Sequence, residues 1–311
     1  MIISKLTLGL GNQMFQYAFG RRTALNNQTE LKLDISETDL ADPKYHYVLE
    51  HLLQSGMRDA DLAKEKTPLE ISAFNVELNI ATPEEIRRFQ KYARKKGKIN
   101  FLRNFLFADD YKYFVEKRSP EDPAYKKIGA DAYLVGHWAS EKYFLDIRDV
   151  LLKEFTPKNT DDYYQKTLAE INAVNAVSLH FRRGDYAINP DANRHHGVAS
   201  LDYYYQAMKL IEGKTADPVY FVFSDDLAWV KNNLKTTRPV RYVQQTDLFN
   251  KSYQDLLLMS KCRHNIIANS TFSWWGAWLN QHPDKIICAP AKWFNIERDT
   301  RNLLPEAWLK I

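Results

Sequence analysis

The chain has 311 residues, room for two domains of about 150 each or one large one. Hydrophobic residues make up 45% and charged residues 26%, the balance of a globular protein. Acids and bases are interleaved around a net charge of +4, so no basic tract calls for nucleic acid, and two cysteines among apolar neighbours exclude a disulfide or zinc framework.

Residues 2–8 read as a first strand, broken by Gly9-Leu10-Gly11, with a helix over residues 12–26 and a second strand over 30–33. No charged leader precedes a long apolar run. The expectation is therefore a cytoplasmic chain without signal peptide or membrane span. Residues 36–80 are polar and turn-rich and carry no clear element. Thr82-Pro83-Glu84-Glu85 has the makings of a helix start: Thr as cap, Pro at the first helical position, acids in the first turn. That helix, extending to about Lys96, places Ile86, Phe89 and Ala93 on one face, and Arg87, Arg88, Lys91, Arg94, Lys95 and Lys96 around them. A strand over 133–136 and a helix over 146–155 follow. The boundary between an N-terminal domain, 1–157, and a C-terminal one, 158–311, is placed at the turn from Pro157 to Asp162.

The second half alternates in the same way. Helices are expected over 163–172, 201–211, 252–261, after Asp226 and after Ser273. Strands are expected over 176–179, 219–223, 240–243, 264–268 and 285–288. Alternation in both halves predicts an α/β protein with two doubly wound parallel sheets.

Four strand-end clusters carry the chemistry. The first is Gly9-Leu10-Gly11-Asn12, where glycines between a strand and a helix bring backbone N–H groups toward an anion. It is not the full dinucleotide fingerprint, since Met14 stands where a third glycine is required. In the second, a short apolar strand delivers His180, Arg182, Arg183 and Asp185 together, with Gly184 allowing a tight turn. Two guanidiniums that cannot deprotonate are suited to clamping phosphate. The third cluster is Ser224-Asp225-Asp226, able to bind a metal, hold a ribose or cap the next helix. The fourth is Asn269-Ser270-Thr271-Phe272-Ser273, a row of small polar side chains offering phosphate donors, followed by Trp274, Trp275 and Trp278, which suit packing or a sugar platform.

Together, Gly-Leu-Gly-Asn-Gln-Met-Phe, His-x-Arg-Arg-Gly-Asp-Tyr, Phe-Ser-Asp-Asp and Asn-Ser-Thr-Phe-Ser-Trp-Trp-Gly resemble the α-1,2-fucosyltransferases, the glycosyltransferase family 11 group, over residues 1 to about 295. The resemblance implies two Rossmann-like domains facing a cleft, the B-type glycosyltransferase fold. It implies inverting transfer of L-fucose from GDP-β-L-fucose to the 2-hydroxyl of a galactose-containing glycan, in bacterial surface polysaccharide or H-antigen-like synthesis, with no cofactor or metal required. It implies Arg182 as the catalytic arginine on the β-phosphate, supported by Arg183, with His180 on the nucleotide. Asp255 would read the guanine edge, Asn269, Ser270, Thr271 and Ser273 would surround the phosphates, and Gly11 and Asn12 would face the donor from the first domain.

The general base is left open between Asp185 and His196. Two alternatives stand beside this reading: a metal-dependent A-type glycosyltransferase using Asp225 and Asp226, and a non-catalytic glycan-binding protein. The resemblance implies that the acceptor of many bacterial members is assembled on a lipid carrier at the inner face of the membrane, so the basic helix also raises weak peripheral contact with anionic membrane.

Overall fold

A computed structural model describes residues 1–37, 69–93, 112–116, 119–244 and 248–311. These divide into two compact units, one ending at Thr156 and the other starting at Pro157.

In the first unit, β1 (Ile2–Thr7), β2 (Leu31–Glu37), β3 (Tyr113–Val115) and β4 (Ala132–Val135) form a parallel sheet in the order β2-β1-β4-β3. Helix α1 (Leu10–Asn26) is buried around most of its circumference, which explains why its sequence shows no amphipathic stripe. Strand β3 escapes sequence reading because three residues are too few to show a period; its register with β4, Tyr113 opposite Tyr133, identifies it.

Helix α2 (Pro83–Ala93) opens with a reciprocal cap: Thr82 Oγ1 accepts from the Glu85 N–H (3.2 Å) and Glu85 Oε2 accepts from the Thr82 N–H (2.8 Å). Its apolar stripe is consumed by packing. Phe89 is fully buried with Ile3, Ala81 and Tyr133, and Ile86 packs beside them. Arg88 pairs with Asp131 at 2.6 Å, leaving Arg87 and Lys91 exposed. Arg94, Lys95 and Lys96 lie outside the described residues. The expected helix over 146–155 begins as a 3-10 turn, Leu145–Ile147, before α3 (Arg148–Glu154).

The second unit contains helices α4 (Asp162–Asn172), α5 (Gly184–Ile188), α6 (Pro190–His196), α7 (Leu201–Glu212), α8 (Leu227–Asn233), α9 (Leu248–Lys261) and α10 (Thr271–Trp278). Its strands are β5 (Asn175–Phe181), β6 (Pro218–Ser224), β7 (Val240–Tyr242), β8 (His264–Ile266), β9 (Ile287–Ala289) and β10 (Leu309–Lys310). All are parallel, in the order β10-β9-β8-β5-β6-β7. Counted from β5, this is the dinucleotide-fold order, three strands wound one way and three the other. The direction reverses between β5 and β8, and ligands of such sheets bind at the carboxyl ends of those two strands.

Two short helices, α5 and α6, replace the tight turn expected at Gly184. Asn189 caps the second, its Oδ1 accepting from Asp191 N–H (2.9 Å) and Ala192 N–H (3.2 Å), with Pro190 at the first helical position. Runs of five and seven residues carry too few turns for a periodic signal.

Candidate functional site

Strand β5 ends at the reversal point and hands the chain to Arg182 and Arg183. Both guanidiniums meet carboxylates from the end of the neighbouring β6. Arg182 Nη1 lies 3.0 Å from Asp225 Oδ2, and Arg183 Nε lies 3.2 Å from Asp226 Oδ2. The Arg183 backbone N–H donates to Asp225 Oδ1 at 2.8 Å, so Asp225 ties the two strand ends together. The Arg183 guanidinium also sits 3.5 Å from the ring centre of Trp229. Asp226 is the cap of α8, its Oδ1 accepting from the Trp229 N–H at 3.0 Å. Asp225 thus braces both arginines, and Asp226 pairs with Arg183 while capping a helix. Gly184 is required by this packing: a Cβ there would stand 2.7 Å from Asp225 Oδ2. The Asp185 side chain lies outside the described ones.

His180, the second-to-last residue of β5, is buried, and its Nδ1 meets no hydrogen-bond partner. Burial pushes its pKa down to about 4, with Arg182 adding to the depression and Asp225 opposing it. At neutral pH it is an uncharged imidazole with an open ring nitrogen.

Across the reversal point, β8 runs through Ile267 and Ala268 into Asn269 and Ser270. Helix α10 then starts at Thr271 with no side chain capping it. Its first backbone N–H groups and positive dipole end suit an anion. Not every member of the predicted polar row is accessible. Ser273 is fully buried, its hydroxyl turned to the carbonyls of Ala268 and Ser270 at 3.5 and 3.4 Å. Asn269 is a strut: its Nδ2 reaches the carbonyls of His196 (2.9 Å), Gly197 (3.2 Å) and Trp293 (3.1 Å). Its Oδ1 is buried without a partner. The tryptophans pack rather than form a platform. Trp274 and Trp275 are wholly buried, Trp278 nearly so, and Trp274 Nε1 donates to Leu303 O at 2.9 Å.

Asp255, on α9, is buried and accepts from Tyr163 Oη at 2.8 Å. Burial pushes its pKa up to about 7, against the lowering pull of the tyrosine hydroxyl.

In the first unit, the glycine turn differs from expectation. The Leu10 N–H at the start of α1 donates to Glu70 Oε2 at 2.6 Å, so an internal carboxylate occupies the position expected for a ligand anion. Gly11 is buried and Asn12 half-buried, with the Asn12 N–H bonded to Gly9 O at 2.9 Å. The adjacent glutamines, which the sequence reading passed over, hold the turn. Gln13 Nε2 donates to Leu8 O (2.8 Å), and Gln16 joins Thr7 and Gly136. Sequence gave no signal for Glu70, whose role depends on a contact 60 residues away.

His196 is not an isolated surface group. Its ring stacks on Tyr186, centroids 4.4 Å apart and planes nearly parallel at 3°. Arg182 packs against the Tyr186 ring at 5.3 Å. Both expected cysteine environments hold: Cys262 and Cys288 are buried and free, and burial raises both thiols above their usual range.

A sheet of dinucleotide order thus carries paired arginines at its reversal point with an uncapped helix beside them, an arrangement suited to an anionic ligand. Residues 2–311 match the family model for glycosyl transferase family 11, and the chain belongs to that family. It is 30% identical to the α-1,2-colitosyltransferase of Escherichia coli over 100% of this chain and 99% of that protein. It is 33% identical to the O-antigen biosynthesis glycosyltransferase WbnK of Escherichia coli over 99% of each. A solved structure of an Arabidopsis thaliana FUT1 variant in complex with GDP overlaps 92% of this chain and 69% of that one, with 11% identity and a TM-score of 0.49.

Proposed function

We propose that this glycosyltransferase moves L-fucose from GDP-β-L-fucose to the 2-hydroxyl of a galactose-containing acceptor, with inversion and without metal. The observation that carries the reading is the pair Arg182 and Arg183 at the carboxyl end of β5, fixed by Asp225 and Asp226 beside the uncapped α10. In inverting transfer the glycosidic C–O bond breaks as the acceptor oxygen attacks. Charge builds on the departing diphosphate. Fixed cations aimed at that charge stabilise the transition state more than the ground state. The guanidiniums are permanently charged and need no metal to do this.

His180, Ser270 and Thr271 complete the polar lining on this unit, and Asp255 is the guanine reader in this proposal. A carboxylate accepts two hydrogen bonds from guanine N1–H and the 2-amino group, a pair that uracil and adenine do not offer. The residues from Pro157 onward form the donor-binding domain, and those up to Thr156 the acceptor domain. Asp185 and His196 are the candidates for the base that takes the acceptor proton. Exposed Arg87 and Lys91 give α2 a surface for weak, salt-sensitive contact with anionic lipid in the cytoplasm.

A second reading has support from the full-length likeness to an α-1,2-colitosyltransferase: GDP-colitose as donor with the same linkage. Calorimetry with GDP, UDP and ADP, followed by turnover of both GDP-sugars on a galactosyl acceptor, tests both. GDP is expected to bind at least about tenfold tighter, a difference of roughly 1.4 kcal/mol. Equal affinity for the three nucleotides would overturn the donor assignment, and a nucleotide-blind protein would be a glycan-binding one.

A further inference from the structure

Arg182 is held at its edge by Asp225 and meets the Tyr186 ring, 5.3 Å from the ring centre. Tyr186 is in turn packed on other rings: His196 lies flat against it, and Phe294 leans on His196 at 5.6 Å. The backbone is built to put His196 there. Asn193 Nδ2 donates to Tyr186 O at 2.7 Å, and Asn269 Nδ2 to His196 O at 2.9 Å. The Asn295 N–H donates to His195 O at 2.9 Å. Gly197 turns with φ +66°, and a Cβ there would come within 2.5 Å of the Asn295 side chain.

We propose that Tyr186 and His196 are positioning residues for Arg182, their stacked rings fixing the face of the guanidinium while Asp225 fixes its edge. The inference rests on reading Arg182 as the diphosphate cation. A long side chain that is 36% exposed has rotamer freedom to lose. A ring against its face removes that freedom, and a donor that need not reorganise as charge develops is the more effective catalyst. His196 acts through Tyr186, its ring serving as a stacking surface, and of the two candidate bases this leaves Asp185.

The test pairs two measurements. In the ligand-free protein, arginine Nε–H resonances are recorded for wild type, Tyr186→Phe, Tyr186→Leu, His196→Phe and His196→Ala, with Arg182→Lys identifying the Arg182 signal. A sharp Arg182 signal is expected in wild type and both phenylalanine variants, and a broadened one in Tyr186→Leu and His196→Ala. In turnover, Tyr186→Leu is expected to lose roughly tenfold or more in kcat with donor KM changed less than about threefold, since alignment matters most as charge develops. His196→Phe is expected to rescue most of the loss seen in His196→Ala. Wild-type kcat with a sharp signal in Tyr186→Leu would overturn the proposal. So would a His196→Phe variant as inactive as His196→Ala with its Arg182 signal intact, which would make the imidazole a chemical participant. Should wild type neither bind GDP nor transfer fucose, the functional reading fails, while the Arg182 resonance still decides the stack.

Discussion

At the scale of single residues, the site depends on which protonation states and which geometries burial enforces. Arg182→Lys keeps the charge but loses the planar fork that grips two oxygens. Its rate is expected to fall about a hundredfold or more, the loss of one preorganised donor, with the melting temperature unchanged. Near-normal turnover would remove Arg182 from the mechanism.

Asp255 supplies a pH test. Its pKa stands near 7 in the folded chain, above its unfolded value, so the folded state holds the proton more tightly. Its contribution to stability is full below the unfolded value and is lost as pH rises toward 7. His180 and His264 are both pushed down to about 4 by burial and work the other way. Their contribution is present above the unfolded value of about 6.5 and is lost as pH falls to about 4. Asp255→Asn is therefore expected to melt higher than wild type near pH 8, with the advantage shrinking toward about pH 4. Thermal melts across that range check this, and a pH-independent difference would show that Asp255 is not buried as described. The same variant should lose GDP affinity most clearly above about pH 7, where the wild-type side chain is a carboxylate.

At the scale of elements, strand ends and helix starts do the positioning. Glu70 caps α1 through the Leu10 N–H, and Glu70→Ala is expected to cost about 1–2 kcal/mol in denaturant unfolding, the usual worth of a helix cap. An unchanged midpoint would show that the carboxylate adds nothing to α1. In the second unit, Gly184→Ala would press a methyl toward Asp225 Oδ2 and disturb both arginines. Turnover is expected to fall well before the melting temperature does.

What sequence could read at this scale followed from local pattern. Strands β5 and β6 are buried apolar runs ending in charged motifs, so their chemistry was visible in one dimension. The Thr82 cap, the cap at Asp226 and the packing of the tryptophan helix were legible for the same reason. The Glu70 cap, the strut made by Asn269 and the stack of His196 on Tyr186 were not. Each depends on a partner brought close only by the finished sheet or by two helices too short to announce themselves. Ser273 shows the converse: a polar residue in a polar motif whose hydroxyl the fold spends on its own backbone.

At the scale of the molecule, two parallel α/β units place their motifs at the carboxyl edges of their sheets. The opposite edge of the second unit has a different character. A cavity of about 260 Å³ there is lined by residues including Asn175, Lys214, Arg263, His264 and Asp284. The carboxyl ends of α4, α7 and α9 arrive at that edge, and basic side chains complement their negative dipole ends. Anion chemistry belongs at the other pole, where helices begin. If the arginine pair carries the chemistry, chelation with EDTA is expected to leave turnover intact. Activity lost on chelation and restored by Mn²⁺ would move the weight to Asp225 and Asp226. No helix among the described residues is long and apolar enough to cross a membrane, and the contact proposed for Arg87 and Lys91 is with the lipid surface. Sedimentation with anionic vesicles at low salt checks it, and protein left in the supernatant would end that idea.

The guanidinium of Arg183 resting on the indole of Trp229 gives the protein an optical reporter of its own. An indole's emission responds to a charge against its face, and Trp229 is partly exposed whereas Trp274, Trp275 and Trp278 are enclosed. A diphosphate that draws Arg183 forward, or screens it, should change the colour or yield of that one fluorophore without any label. Titrating GDP while watching emission, with Trp229→Phe as the dark control, would turn the clamp into its own binding assay.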